Sequence, residues 1–351
     1  MLREAGGDGD ENFVLSPLGM TIVTALMANG LDGSSREAFE RACGMTPGKS
    51  KLYNHAMAAA LTAIEEEPGN PASVANAAWM IWPLPVRPDY QALVERPYRA
   101  KVWNLGSAGR ESVNQVNAWC RRQTDGRIPQ LTERLDPRTS VIFTNALSLS
   151  YEWKRPFGPA KPAPFRFADG ERPVPTLSEV RPFLYAEQEG VRAAWVPTKA
   201  GSIAFLLPPE DEGWPSLARR LENGLLERLR GLRRERHARI AFPRHVARSR
   251  TDLMPALRRL VGDKAVAELD LRFVSHELVQ GQFVAAAEQL ASFELDDHGA
   301  RGAAATSVGT VASAGDPDLD FIADRPFLVV AEAPRPGLVL LAAWVARPQV
   351  Q

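Results

Sequence analysis

The segment from residue 299 to residue 320 reads GARGAAATSVGTVASAGDPDLD. Residues 302–315 carry no charge and no large side chain. Uninterrupted connections of about twenty residues are uncommon inside a compact domain and are as a rule functional or disordered. A Gly/Ala/Ser linker between domains is one reading. Against it, residues 316–351 are too few to form a domain of their own. The apolar strands they contain must dock back onto the preceding body, so the segment is a loop anchored at both ends. Its alternation says more. Ala300, Gly302, Ala304, Thr306, Val308, Thr310 and Ala312 fall on one face at period two, small and uncharged throughout. The only charge, Arg301, falls on the other face with Ala303, Ala305, Ser307, Gly309, Val311 and Ser313. Such a loop can become a strand with one face buried at no electrostatic cost and Arg301 left in water.

The remainder of the chain bounds what that loop belongs to. The protein has 351 residues, with 42 basic and 42 acidic side chains and no net charge, which argues against bulk polyanion or nucleic-acid binding. Two cysteines, Cys43 and Cys120, exclude a disulfide framework and a multi-cysteine metal site. No run of 18 apolar residues suggests a membrane span. Residues 1–12 are Gly/Asp/Glu-rich, without an apolar signal core, and are expected to be disordered. As written the chain is expected in the cytoplasm; a start further upstream would allow export. Residues 13–351 read as one domain. Phe13 to Leu15 is a short strand, and Ser16-Pro17 suits a helix start before the apolar run 18–29. Ser34 to Glu37 matches a capping box. Helices are expected over 52–67, 90–96, 111–124 and 215–236. Strands are expected over 74–82, 100–105 and 140–150, in short pieces between 165 and 208, and twice within 321–345. Helices come first, then mixed elements, then strands, with no βαβ alternation and no repeat. That order points to α+β with mixed or antiparallel sheets.

Several blocks resemble the serpin family, in order and across nearly the whole chain. They are Asn12-Phe13-Val14-Leu15-Ser16-Pro17-Leu18; Val116-Asn117-Ala118-Trp119 with Thr124-Asp125-Gly126-Arg127-Ile128; and Thr144-Asn145-Ala146-Leu147 with Trp153, Pro156 and Phe157. Ile240-Ala241-Phe242-Pro243 with Thr251-Asp252-Leu253, and Arg325-Pro326-Phe327-Leu328 with Trp344-Val345, complete the set. The resemblance implies a serpin fold of large sheets, surrounding helices and an exposed reactive loop at about 297–320. The hinge would be Asp297, Gly299, Ala300, Gly302, Ala303, Ala304, Ala305 and Thr306, with Gly302 where Ala is usual. The family's spacing puts the scissile bond at Ser313-Ala314, within two residues, flanked by Val311 and Ala312. These small residues suit a narrow apolar S1 pocket of elastase or subtilisin type, whereas a trypsin-like enzyme wants Arg or Lys. The implied role is a monomeric suicide inhibitor that traps a serine protease covalently, with no cofactor or metal. The alternative is a non-inhibitory serpin, a binding or chaperone-like protein whose loop is only a substrate. Ser16, Asn145, Trp153 and Gln289 would form the shutter and breach, where the sheet opens. Gly19 stands in place of a second shutter Ser, and Gln289 in place of the usual His.

Competing chemistry finds little support. The chain lacks Gly-x-Ser-x-Gly, His-Glu-x-x-His, Walker and Gly-x-Gly-x-x-Gly signatures, which disfavours a hydrolase. His298 beside Asp296 and Asp297 reads as a solvated loop histidine or a pH-sensitive hinge feature. The arginine-dense run 228–250 reads as a solvated face or, through Arg230, Arg233, Arg234 and Arg236, as a polyanion patch. Both cysteines read as buried or half-buried free thiols, the alternative being a redox or intermolecular role.

Overall fold

The computed structural model describes residues 7–67, 72–149, 151–278, 284–299, 316–333 and 338–349. In chain order, β1 (Phe13–Leu15) leads into α1 (Pro17–Gly30), α2 (Gly33–Ala42) and α3 (Ser50–Glu65). Then come β2 (Ala72–Met80), α4 (Pro88–Tyr98), β3 (Ala100–Asn104), α5 (Arg110–Gln123) and β4 (Thr139–Leu149). Next are β5 (Lys161–Phe167), β6 (Gly170–Gln188), β7 (Val191–Thr198), β8 (Gly201–Leu207), α6 (Trp214–Glu222) and α7 (Leu225–Leu232). The last third holds β9 (Arg234–Pro243), β10 (His245–Asp252), α8 (Met254–Val261), α9 (Asp263–Ala267), β11 (Val284–Leu295), β12 (Leu319–Ile322), β13 (Phe327–Glu332) and β14 (Val339–Val345).

Two sheets organise the molecule. The larger has nine strands in the order β1-β14-β13-β8-β7-β6-β9-β12, with β5 on β6. The smaller has five, β10-β11-β4-β2-β3. It is mixed: β10 with β11 and β4 with β2 are antiparallel, while β11 with β4 and β2 with β3 are parallel. The expected α+β architecture with mixed sheets is what the chain adopts.

Helix α1 runs through the main core and is buried on nearly every side, so its run of apolar residues lacks a polar stripe. Ser16 caps it by accepting from the Gly19 N–H at 2.9 Å. Phe143 and Leu147 of β4 and Ala287, Ala291 and Phe293 of β11 face this core. On the opposite face of the five-stranded sheet, Val116, Trp119 and Cys120 of α5 cover Trp79, Ile142, Ala146 and Leu290. Period-two alternation along β4 and β11 supplies both faces.

Local differences from the sequence reading have physical causes. The cap of α2 is Asp32, which accepts from Gly33 N–H at 2.9 Å, so the Ser34–Glu37 box does not form; Glu37 instead pairs with Arg41. Helix α3 stops at Glu65, short of Glu66 and Glu67, where acids oppose the helix dipole. The helix expected over 215–236 is two helices, and Arg234 to Arg236 belong to β9. Strand β6 continues through Pro173, Pro175 and Pro182 for 19 residues. Of residues 1–12, expected to be disordered, residues 7–12 are fastened to the domain. Trp344 Nε1 donates to Gly9 O at 2.7 Å, and Asn12 Oδ1 accepts from the Ala346 and Arg347 N–H groups. Residues 1–6 lie outside the described residues.

Candidate functional site

Residue 299 ends one described stretch and residue 316 begins the next. Ala300, Gly302, Ala303, Ala304, Ala305 and Thr306, expected in a hinge, and Val311, Ala312, Ser313 and Ala314, expected around a scissile bond, lie outside the described residues. Both anchors are defined. The first is the end of β11 in the five-stranded sheet; the second is β12, at the edge of the nine-stranded sheet, parallel to β9.

The first anchor is pinned by its backbone. Trp153 donates from its N–H to His298 O at 3.0 Å and from Nε1 to Asp296 O at 2.8 Å. The Phe157 N–H donates to Asp297 O at 2.9 Å. Trp153 is buried and packs edge-on against Phe157. Asp296, itself buried, accepts with Oδ1 from the N–H groups of His298 and Gly299, both at 2.8 Å. Gly299 bridges to Glu152 at φ +144°, and a Cβ there would lie 2.0 Å from Tyr151 O. Only glycine fits this turn and this approach. Asp297 faces His298, with Oδ2 3.3 Å from Nδ1.

Below the hinge, β11 and β4 pair directly, from Val284 opposite Thr139 to Ser292 opposite Ser148. The predicted shutter residues meet beneath this seam. Gln289 Oε1 accepts from the Ser16 N–H and its Nε2 donates to Ser16 O, each at 2.8 Å. Nε2 also lies 3.4 Å from Asn145 Oδ1, and Asn145 Nδ2 donates to Asn76 Oδ1 at 2.8 Å. All four residues are buried. Trp153 is not part of this cluster; it serves the hinge. Sequence reasoning missed Asn76, whose signal was slight, and named Asp296 only as a neighbour of His298, not as the side chain that closes the turn three residues before Gly299.

Over the front of the seam, α5 and the segment after it form one cover. Asn117 Oδ1 accepts from the Leu131 and Thr132 N–H groups at 2.7 and 3.1 Å. Arg127 reaches from this cover to Ser148 Oγ on β4. Cys120 lies inside it, its thiol pushed up to about 11 by burial; half-buried Cys43 is pushed up to about 12 for the same reason. Both are free thiols held in the protonated, unreactive form.

The four arginines proposed as a polyanion patch are not alike. Arg230 is largely buried and paired with Glu332 at 2.8 Å. Arg233 is half-buried, with its guanidinium 5.8 Å from the Trp195 ring. Arg234 and Arg236 are exposed on β9. Among the described residues, no helix is long and apolar enough to cross a membrane.

The described residues form an α+β arrangement of two sheets, with a directly paired parallel seam between β4 and β11 and a run of small residues in the sequence between β11 and β12. The comparisons agree with that arrangement. A family model described as "Serpin (serine protease inhibitor)" matches residues 1–348. Serpin-ZX of Arabidopsis thaliana is 24% identical over 366 residues, covering 97% of this chain and 93% of that one. The solved structure of Serpin48 from the insect Tenebrio molitor superposes with a TM-score of 0.86 at 23% identity, over 99% of this chain and 95% of that one. Arabidopsis AtSerpin1, described as being in its native stressed conformation, gives 0.83 at 24% identity, over 97% and 92%. The chain belongs to the serpin family. It is accordingly a protein of the protease-inhibitor class, with the serpin fold, rather than an enzyme.

Proposed function

We propose that the protein is a suicide inhibitor of a serine protease with small-residue preference, of elastase or subtilisin type. The protease's serine hydroxyl attacks the Ser313 carbonyl carbon. The Ser313–Ala314 amide breaks, its nitrogen takes a proton and leaves as the new amino terminus, and an ester joins Ser313 to the enzyme. The released segment 300–313 then enters between β4 and β11 as a strand, taking the acyl-enzyme with it. About fourteen residues span roughly 45 Å as a strand, enough to carry an attached enzyme across the molecule. If ten or so backbone hydrogen bonds are gained at about 1 kcal/mol net each, the driving force is on the order of 10 kcal/mol. That is comparable to the whole stability of an ordinary domain, enough to distort an active site and stall deacylation.

The observation that carries this reading is the direct pairing of β4 with β11, next to a run of residues that is small and uncharged on one face and, apart from Arg301, on the other. When an antiparallel strand enters between parallel neighbours, each neighbour exchanges its shared ladder for one with the newcomer, and the newcomer is paired on both edges. The test mixes the purified protein with an elastase-like protease and runs a denaturing gel. A band near the summed mass that survives boiling in detergent is expected. Clean cleavage near Ser313 without that band would make the protein a substrate and return the non-inhibitory reading.

A further inference from the structure

Side-chain bonds on the core face of the five-stranded sheet divide along one line. Gln289 and Asn145 are Cα partners across the β11/β4 pair, yet their carboxamides meet only through the 3.4 Å contact. Each makes its short bonds in the opposite direction. Gln289 answers both the N–H and the C=O of Ser16 at 2.8 Å, which ties β11 to the start of α1. Asn145 donates to Asn76 at 2.8 Å, and Asn76 donates to the Tyr98 carbonyl at 2.7 Å, which ties β4 to β2 and α4. A carboxamide carries a donor and an acceptor side by side in one plane, so a single Gln side chain can answer the N–H and the C=O of one residue together.

The carboxamide has a steric condition. A Cβ at residue 19 would lie 1.9 Å from Asn145 Oδ1 and 2.6 Å from Gln289 Nε2. Glycine in the first turn of a buried helix lowers helix propensity and packs nothing. Here it leaves the slot that both amides occupy.

We infer that Gly19 and Gln289 are one unit, and that Gln289 is a positioning residue for strand entry. It holds β11 to α1, so that the sheet parts at the β4/β11 line, and it does so only because residue 19 has no side chain. This rests on the strand-insertion reading of the loop. When a strand enters, β4 and β11 separate from about 4.8 Å to about twice that. The 3.4 Å contact is the bond of this cluster that must break; the short bonds on either side survive. Removing the Gln289 side chain costs both states the partner of the buried Ser16 N–H, while Ser16 C=O keeps the Met20 N–H at 2.9 Å; it costs the resting sheet alone the contact to Asn145, so the resting sheet loses more than the opened one.

The experiment adds a synthetic peptide of residues 300–313 to the intact protein and follows uptake by native electrophoresis and mass. Gln289→Ala is expected to take up peptide up to about tenfold faster than the parent, the rate equivalent of the one hydrogen bond that opening breaks, with a lower Tm from the unmet Ser16 N–H. Gly19→Ala should move both readouts the same way by displacing the carboxamide. The double variant should be no faster than Gln289→Ala alone, because the same bonds are lost. Gly19→Ser with Gln289→His should take up peptide more slowly than Gly19→Ser alone. A fall in Tm with unchanged uptake in Gln289→Ala, or full additivity in the double variant, overturns the inference. So does the absence of uptake by the parent and every variant alike. Should Gln289→Ala fail to fold, Gln289→Asn keeps the amide on a shorter arm and carries the same expectation. No protease is involved, so cleavage without a covalent complex, which would sink the inhibitor reading, leaves this result standing.

Discussion

His245 opens β10 opposite Leu295, the last residue of β11 before the hinge. It is fully buried. Its Nδ1 accepts from the Gln349 N–H at 3.0 Å, and its Nε2 has no partner among the described residues. Burial pushes its pKa down from 6.5 to about 4. The folded protein therefore keeps this ring neutral where the unfolded chain would already bind a proton. Its contribution is complete above pH 6.5, falls as the pH drops, and is gone near pH 4. A gap of about 2.5 in pKa, at 1.36 kcal/mol each, makes the loss ~3 kcal/mol. At a urea slope of about 3 kcal/mol per M, the unfolding midpoint should fall by ~1 M from this group alone. The comparison variant is His245→Asn, which keeps an acceptor for Gln349 and does not ionise. Urea unfolding followed by tryptophan fluorescence at pH 7.5 and pH 4.0 should show the parent losing ~1 M more than the variant. Carboxylates titrate alike in both chains and cancel. Parallel pH profiles for the two proteins would refute the assignment of this acid sensitivity to the buried ring.

Four further outcomes follow from the hinge and the arginine run. Gly299→Ala places a Cβ against Tyr151 O and in a positive-φ turn, and should cost about 1–3 kcal/mol, read as a lowered Tm. Ala304→Glu puts a carboxylate on the face that insertion buries, whereas Ala305→Glu puts it on the other. The first should turn covalent complex into cleaved product on a denaturing gel and the second should not, since burying an unpaired charge costs several kcal/mol; equal effects would mean that the alternation does not set the faces. Arg234→Ala with Arg236→Ala should lower the salt needed for elution from heparin if these exposed side chains meet a polyanion. Arg230→Ala should leave elution unchanged and cost about 3 kcal/mol of stability, because it strands the buried Glu332.

The fold was legible in the sequence where a pattern is local. The apolar run after Ser16-Pro17 gave α1 to within a residue or so, and the period of Val113, Val116, Trp119 and Cys120 gave α5 and its buried face. It failed where tertiary partners overrule local chemistry. Asp32 replaces Ser34 as the α2 cap, and β6 accommodates Pro173 and Pro175 opposite β5 and Pro182 opposite β9. Strand β11 went unread because VAAAEQLASFEL is rich in helix formers and both its faces are largely apolar or small; its place in the sheet comes from β4 and β10 on either side. The stretch after β11 was singled out through resemblance to a family, but the bonds that Trp153 and Phe157 make to residues 296–298 are long-range and no spacing announces them.

Read one residue at a time, Gly19 and Gln289 are two losses: a hydroxyl removed from the start of a helix and an imidazole removed from a strand 270 positions later. The coordinates make them a single exchange. Gln has a longer, more flexible arm than His, and its amide reaches past the Asn145 side chain to the Ser16 backbone only through the volume that a residue-19 side chain would fill. Either change alone leaves a buried polar group unmet or a sub-3 Å contact; together they leave neither. A sequence comparison that scores positions independently would count against opening at this seam twice, where the packing gives no reason to count against it once.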